Sequence, residues 1–250
     1  KFGGRCLVDG APLPANAPVR AGQLIEVTLS DALRGAAQPD DGPVNIVYLD
    51  DDVMVIDKPA PLNCQATPRQ PERALENRLM GRFAGQAFAF RPVNRLDRGT
   101  SGLLVAAMHP HAQWALQRLL HTPGFERAYL AVVAGRPDPA EGVIDAPIAK
   151  CDGPTVKREV ASGGRPSRTA YRTLLSGERS LVALKLFTGR THQIRVHMAH
   201  IGCPVAGDFL YGAEDGRLPG RFALHSAAVR FPHPIDGRAM AFYSPLPRAL

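Results

Sequence analysis

The sequence predicts a mixed α/β (α+β) domain built on a largely antiparallel sheet flanked by helices. Three observations carry this. Strand-like apolar runs outnumber segments of helical periodicity, and the two do not alternate as in a doubly wound fold. The 250 residues, 45% of them hydrophobic, suffice for one large domain with or without a small appendage. No apolar run approaches the roughly 18 residues of a membrane helix, and the apolar content excludes a disordered chain.

In chain order, residues 5–8 read as a strand, Asp9-Gly10 as a turn, residues 12–18 as Pro-bearing turns and residues 24–29 as a second strand. Residues 31–43, rich in Ala, Asp, Gly and Pro, suit a linker. Two apolar runs, residues 44–49 and 53–57, surround Asp50-Asp-Asp52 as a hairpin closed by Lys58-Pro59. Residues 71–83 place Leu75, Leu79 and Phe83 four apart behind a Pro start, and residues 110–120 repeat the style with Trp114, Leu116, Leu119 and Leu120; both predict helices. Strands are expected over 102–108, 125–134, 142–148, 168–175, 181–187, 222–231 and 238–243.

Thirty basic residues, 25 of them arginine, face 23 acidic ones, for a net charge of +7. The excess is confined to one region: residues 1–42 and 43–90 each carry −1, and residues 91–250 carry +9. Such a balance points to a polyanionic partner bound by the last two thirds. The four cysteines, Cys6, Cys64, Cys151 and Cys203, form no CxxC pair, so a zinc knuckle or disulfide framework is not expected and a reducing cytosol is. The first residue is Lys1, and we expect a piece of a longer chain.

Two segments concentrate chemistry. In the first, Asp97 stands between Arg95 and Arg98, just before a Gly-Thr-Ser-Gly turn. Positive neighbours favour the carboxylate over the acid, and an ionised carboxylate can act as nucleophile or base; alternatively, Asp97 accepts backbone hydrogen bonds from the turn. Ser101 does not lie in a GxSxG elbow, and a glycosidase would need a second carboxylate opposite Asp97. In the second segment, Ile194, Met198 and Ile201 share one face of a helix that Thr188 or Thr191 could cap, and His192, Arg195 and Ala199 share another. Arg195 is then either a cleft residue or a solvated helix arginine. His192 and His197 lie about 140° apart on that helix, unlike a zincin pair, so no metal is expected. A third element, residues 125–135, puts Arg127, Tyr129 and Ala131 on one strand face. Tyr129 could stack on a base or pass a proton, or simply lie half-buried on a sheet.

Taken together these segments resemble the RluA-type pseudouridine synthases. The resemblance rests on Asn94-Arg-Leu-Asp-Arg-Gly-Thr-Ser-Gly102 for the family's His-Arg-Leu-Asp-x-x-Thr-Ser-Gly signature, on Arg127-Ala-Tyr129, and on Thr188-Gly-Arg-Thr-His-Gln-Ile-Arg-Val-His197. Ile56-Asp-Lys-Pro59 and Leu224-His-Ser226 are similar to two further family stretches, so the likeness spans residues 44–250. The segment from Cys6 to Leu29 resembles the second half of a small ribosomal-protein-type RNA-binding module, making residues 1–30 a partial module before a catalytic domain at 44–250.

The resemblance implies the pseudouridine synthase catalytic fold and an isomerase that breaks the glycosidic bond of uridine, turns the ring and rejoins it through carbon. It implies Asp97 as nucleophile, Tyr129 against the target base and Arg195 paired with Asp97; Arg95, Arg98, Arg190 and His192 are the expected RNA contacts. Arg95 would fill the stack as the uridine is flipped out. No cofactor and no metal are implied. The expected partner is RNA, ribosomal first and transfer RNA second, with no membrane, and the protein is expected to be a cytoplasmic bacterial monomer. Asn94 departs from the family's usual His. The rivals are a catalytically inactive RNA-binding paralogue and a hydrolase releasing free base.

Overall fold

The computed structural model describes residues 3–14, 16–30 and 37–248, and the chain divides into two compact units, Lys1–Ala36 and Ala37–Leu250. In the first, β1 (Gly3–Val8) pairs antiparallel with β2 (Ala11–Pro12) and β3 (Ile25–Ser30) in the order β2-β1-β3. The β1–β2 connection is the Asp9-Gly10 turn, with φ of 50° and 80°, the positive values a two-residue hairpin needs to match strand twist. The Asp9 carboxylate accepts from the Leu24 N–H and the Gln23 amide at 2.9 Å each. These bonds, Leu24's foremost, hold it below the usual carboxylate range.

The second unit contains β4 (Asn45–Leu49), β5 (Val53–Lys58), α1 (Leu75–Arg82), β6 (Arg91–Pro92), β7 (Ser101–Ala107), α2 (Pro110–Leu119), β8 (Glu126–Ala134) and β9 (Glu141–Asp145). It continues with β10 (Ile148–Lys150), β11 (Arg158–Val160), β12 (Arg168–Leu175), β13 (Arg179–Leu186), α3 (Gln193–His200), β14 (Leu224–Pro232) and β15 (Ala239–Tyr243). The main sheet runs β4-β5-β7-β14-β8-β13-β12-β9, with β6 on β7 and β15 on β14. Its pairings are antiparallel except that of β7 with β14, which is parallel over two residue pairs, Ser101↔His225 and Gly102↔Ser226. Strand β14 therefore shares one edge between β7 and β15 while β8 follows the other. Gly102 permits the junction: its φ is 104°, and a Cβ there would stand 2.3 Å from the Ser226 carbonyl oxygen.

Strands β5 and β7 are unbroken apolar runs because both faces of the sheet are covered. Met54, Ile56, Leu104 and Ala106 join Leu75 and Leu79 of α1 and Ile194 and Met198 of α3 in one core. Val53, Val55, Leu103 and Val105 join Ala112 and Leu116 of α2 in the other. A leucine withdrawn fully from water in this way contributes about 2 kcal/mol.

Local departures from the sequence expectations have local causes. Helix α1 starts at Leu75 rather than Pro71, because the Leu75 N–H bonds the Asn63 carbonyl at 2.8 Å and the Asn77 side chain accepts the Ala74 N–H at 2.9 Å, holding Ala74 extended behind a left-handed Arg73. In α2, Trp114 is 55% exposed rather than core, and lies beneath the Arg118 guanidinium at 4.7 Å. Residues 142–148 are not one strand: Pro147 has no N–H to continue the ladder, and the chain passes from β9 into the separate β10–β11 sheet. Of the expected linker, 31–36 lie outside the described residues, while Asp40 and Gln38 are hydrogen-bonded to Asn77 of α1 at 3.0 and 2.8 Å.

Candidate active site

The Asp97 loop joins β6 to β7 and is clamped from both sides. The Asn94 side chain accepts the Val105 N–H of β7 at 2.9 Å. On the other side, the Cys64 thiol and the Leu96 backbone exchange contacts at 3.1 and 3.3 Å, and the Leu62 N–H donates to the Arg98 carbonyl at 2.9 Å. The turn is closed by the Asp97 carbonyl, which accepts the Thr100 N–H at 3.0 Å. The carboxylate itself takes no backbone bond among the described residues and remains available to side chains.

Its partner is Arg195. This residue is 4% exposed, and its fork is divided: Nε and Nη2 donate to the two oxygens of Asp208 at 2.6 and 2.9 Å, and Nη1 donates to Asp97 Oδ2 at 3.2 Å. The guanidinium is further held over the rings of Phe222 at 4.2 Å and Tyr211 at 5.0 Å. Burial alone would lower its pKa, but the Asp208 hydrogen bonds and the Asp97 charge outweigh that and raise it. Arg195 is thus a fixed, permanently charged clamp rather than a solvated helix arginine.

Strand β8 presents Arg127, Tyr129 and Ala131 on one buried face. Tyr129, 4% exposed, pairs in register with Ser226 of β14 and Leu184 of β13. Burial raises its phenol above the usual range, with Arg127 opposing and Asp97 adding, so the group stays protonated at neutral pH. His192 precedes α3 with a left-handed φ of 59°, and its Nδ1 bonds the Tyr211 hydroxyl at 2.8 Å. That hydroxyl also accepts the Arg158 N–H of β11 at 2.8 Å. Burial lowers the His192 pKa despite Asp97 nearby and pushes Tyr211 up to about 12. Neither Thr188 nor Thr191 caps the helix: Thr188 Oγ1 instead donates to Gln193 and accepts the Arg168 N–H.

Beneath the loop lies Lys58, 1% exposed, donating to the carbonyls of Pro59 and Leu62 at 3.0 and 2.8 Å. Burial lowers its pKa from 10.5 to about 8, although Cys64 and Asp97 pull it up. The unfolded chain therefore keeps this proton over a range where the folded chain has lost it, and stability rises with pH between those two values. Compared with Lys58→Met in chemical denaturation, the wild type is expected to gain about 3 kcal/mol on going from pH 8 to pH 10.5.

The remaining expected site residues are spread around this centre. Arg95 and Arg98 flank Asp97 and are exposed, and their guanidinium groups have no hydrogen-bond or ion-pair partner among the described residues. Arg190 bonds the Pro166 carbonyl at 3.2 Å and lies with Arg127 near His121, whose pKa is lowered by burial and by both charges. Other chemistries fit poorly. Ser101 Oγ meets His225 Nδ1 at 3.0 Å, but the far imidazole nitrogen faces the Ser244 carbonyl at 3.2 Å rather than a carboxylate. Asp208 is the carboxylate that shares Arg195, yet it is fully buried and bonded, so it cannot serve as the second acid of a glycosidase. His197 is buried against Thr169 and the Ala146 carbonyl, which gives it a packing role. Asp50, Asp52 and His233 have ligand atoms within 4.8 Å of one another, but Arg238, Tyr48 and His109 already occupy those carboxylates. Sequence reading missed Asp208, Tyr211 and Phe222; the first two lie in the Gly207-Asp-Phe-Leu-Tyr-Gly212 run, whose paired glycines and acid were the available signal.

The RNA pseudouridylate synthase family model matches residues 52–200. The chain is 40% identical to an uncharacterized RNA pseudouridine synthase of Chloroflexus aurantiacus, over 99% of this chain and 80% of that protein. It is 39% identical to ribosomal large subunit pseudouridine synthase D of Xanthomonas campestris pv. campestris, over 99% and 79%. Among solved structures, human RNA pseudouridylate synthase domain containing 1 superposes with a TM-score of 0.67 at 30% identity, over 81% of this chain and 83% of that one. With the family matched across most of the second unit and relatives aligned over nearly all of the sequence, the chain belongs to the RNA pseudouridylate synthases, isomerases that act on RNA.

Proposed function

We propose that this enzyme converts specific uridines of ribosomal RNA to pseudouridine in the bacterial cytoplasm, with Asp97 as the reacting carboxylate. The observation that carries the reading is the divided fork of Arg195: Asp208 fixes two of its nitrogens, so the third is aimed at Asp97 Oδ2 and leaves Oδ1 without a partner among the described residues. A carboxylate so oriented serves each route open to it, whether attack on the sugar, addition to the uracil ring or removal of a sugar proton. The C1′–N1 bond breaks, the ring turns in place and C5 takes the sugar; C5 gives up a proton and N1 gains one, so composition is unchanged. Tyr129, buried and protonated, packs against the base and can donate a hydrogen bond as the ring turns. Extrusion of the uridine costs about a few kcal/mol, and the unpaired guanidinium of Arg95 is suited to stack in the gap.

Ribosomal RNA is favoured by the name of the Xanthomonas relative. The reducing compartment is supported by four free cysteines, and no helix among the described residues is long and apolar enough to cross a membrane. Carbodiimide mapping of ribosomal and transfer RNA from cells with and without the gene tests the reading. One or a few large-subunit signals are expected to vanish; loss confined to transfer RNA would move the substrate, and an unchanged map would end the proposal.

A further inference from the structure

We propose that the cleft beside the Asp97 loop is a subsite for a nucleotide flanking the target uridine, its base read by the paired carboxamides of Asn63 and Gln70 and its phosphates held by Arg73 and Arg98. This rests on the reading of Asp97 as the reacting group. The cleft has a volume of about 780 Å³, within the roughly 300–1,000 Å³ of small-ligand sites. Arg98 lines it, and Arg98 is both the residue after Asp97 and the one whose carbonyl accepts the Leu62 N–H of the opposite wall. The cleft thus adjoins the Asp97 loop through Arg98, and the proposal places there a nucleotide next to the one that meets Asp97.

The chemistry of the walls fits a base edge and a phosphate. Asn63 Nδ2 donates to Gln70 Oε1 at 2.6 Å, which leaves Asn63 Oδ1 as an acceptor and Gln70 Nε2 as a donor on the linked pair. Neither atom has another partner among the described residues. An acceptor and a donor offered by one linked pair suit the edge of an unpaired base, the form in which RNA sequence is read. The backbone beneath the pair is tied down: Gln70 and Thr67 exchange backbone bonds at 2.9 and 3.0 Å, and Asn63 bridges to Ala74 at the head of α1. Arg73 adopts a left-handed φ of 58° and, like Arg98, is exposed, and neither guanidinium has a hydrogen-bond or ion-pair partner among the described residues. Of the two carboxylates in the walls, Asp40 is occupied by the Gly42 N–H at 2.7 Å and Glu72 is outnumbered by Arg73, Arg78 and Arg98. Guanidinium groups facing a cleft of this polarity suit a phosphodiester rather than a neutral metabolite.

The test uses ribosomal RNA transcribed in vitro. In one arm, transcripts carrying sparse 4-thiouridine are irradiated with the Asp97→Asn protein and crosslinked peptides are sequenced. In the other, transcripts altered at each nucleotide adjoining the modified uridine are treated with wild type, with Asn63→Ala/Gln70→Ala, and with Gln70→Glu, which removes the donor while keeping the shape. Crosslinks from an adjoining nucleotide to residues 61–73 are expected, as is a loss of about tenfold in discrimination at that position for the double variant and a changed base preference for Gln70→Glu. Crosslinks confined to other segments, together with unchanged discrimination, would overturn the subsite while leaving the chemistry at Asp97 intact. Wild-type protein that forms no pseudouridine in any transcript would instead remove the parent reading and the subsite with it.

Discussion

Asp97→Asn is expected to lower pseudouridine formation by about 10⁴-fold or more while changing RNA affinity by no more than about twofold. The amide is nearly isosteric, and its oxygen can still accept the Arg195 Nη1–H that the carboxylate accepts at 3.2 Å. Arg95 and Arg98 retain their charges, so the electrostatic part of binding is preserved. What the substitution removes is the negative charge needed for attack, addition or proton removal. Product measured by carbodiimide stops and binding measured on filters separate the two effects. Wild-type turnover by a clean Asp97→Asn preparation would remove Asp97 from the chemistry, while an inactive paralogue would be unmasked earlier, by a wild type that binds RNA and forms no product.

The second large effect belongs to Asp208. Asp208→Ala leaves a 4%-exposed guanidinium with Asp97 as its remaining carboxylate and is expected to cost about 3–5 kcal/mol of stability. Asp208→Asn separates positioning from folding. It keeps an acceptor and the side-chain shape, but no longer holds Arg195 through two carboxylate oxygens. We expect kcat to fall about 100-fold at temperatures well below unfolding, with KM little changed. A variant that melted earlier yet kept wild-type kcat would leave Asp208 with a structural role alone. Arg195→Lys should fail similarly, because an ammonium cannot satisfy both oxygens of Asp208 and still reach Asp97.

Several elements were legible because one physical rule dominated each. Strands β5 and β7 lie between two cores, and their continuous apolar runs follow from that; β8 alternates because Arg127, Tyr129 and Ala131 face inward together. The start of α1 was less legible, since its first turn is delayed by a bridge to Asn63, a residue outside the helix. Trp114 shows the same limit in reverse: an aromatic at an apolar spacing is satisfied at the surface by Arg118. In the site, Asp97, Tyr129 and Arg195 stood out by motif. Asp208 and Tyr211 did not, because their roles exist only when the turn after α3 folds back across Arg195. The β10–β11 sheet has only three residues in each strand, and nothing in its composition shows that the Arg158 N–H would meet Tyr211.

The place of β14 in the sheet bears on when activity can arise during synthesis. The strand is central in space, between β7 and β8, yet next to last in order among the described strands. Until it docks, the β7 edge that follows Asp97 and the β8 edge that carries Tyr129 have no common neighbour, and Phe222, which covers Arg195, has not been fixed. A nascent chain ending before residue 224 thus holds Asp97, Tyr129 and Arg195 without the pairing that arranges them. Contacts between residues so distant in sequence are the slow ones to form, so under the role proposed for Asp97 the site is assembled only after residues 224–232 have been made and docked between β7 and β8.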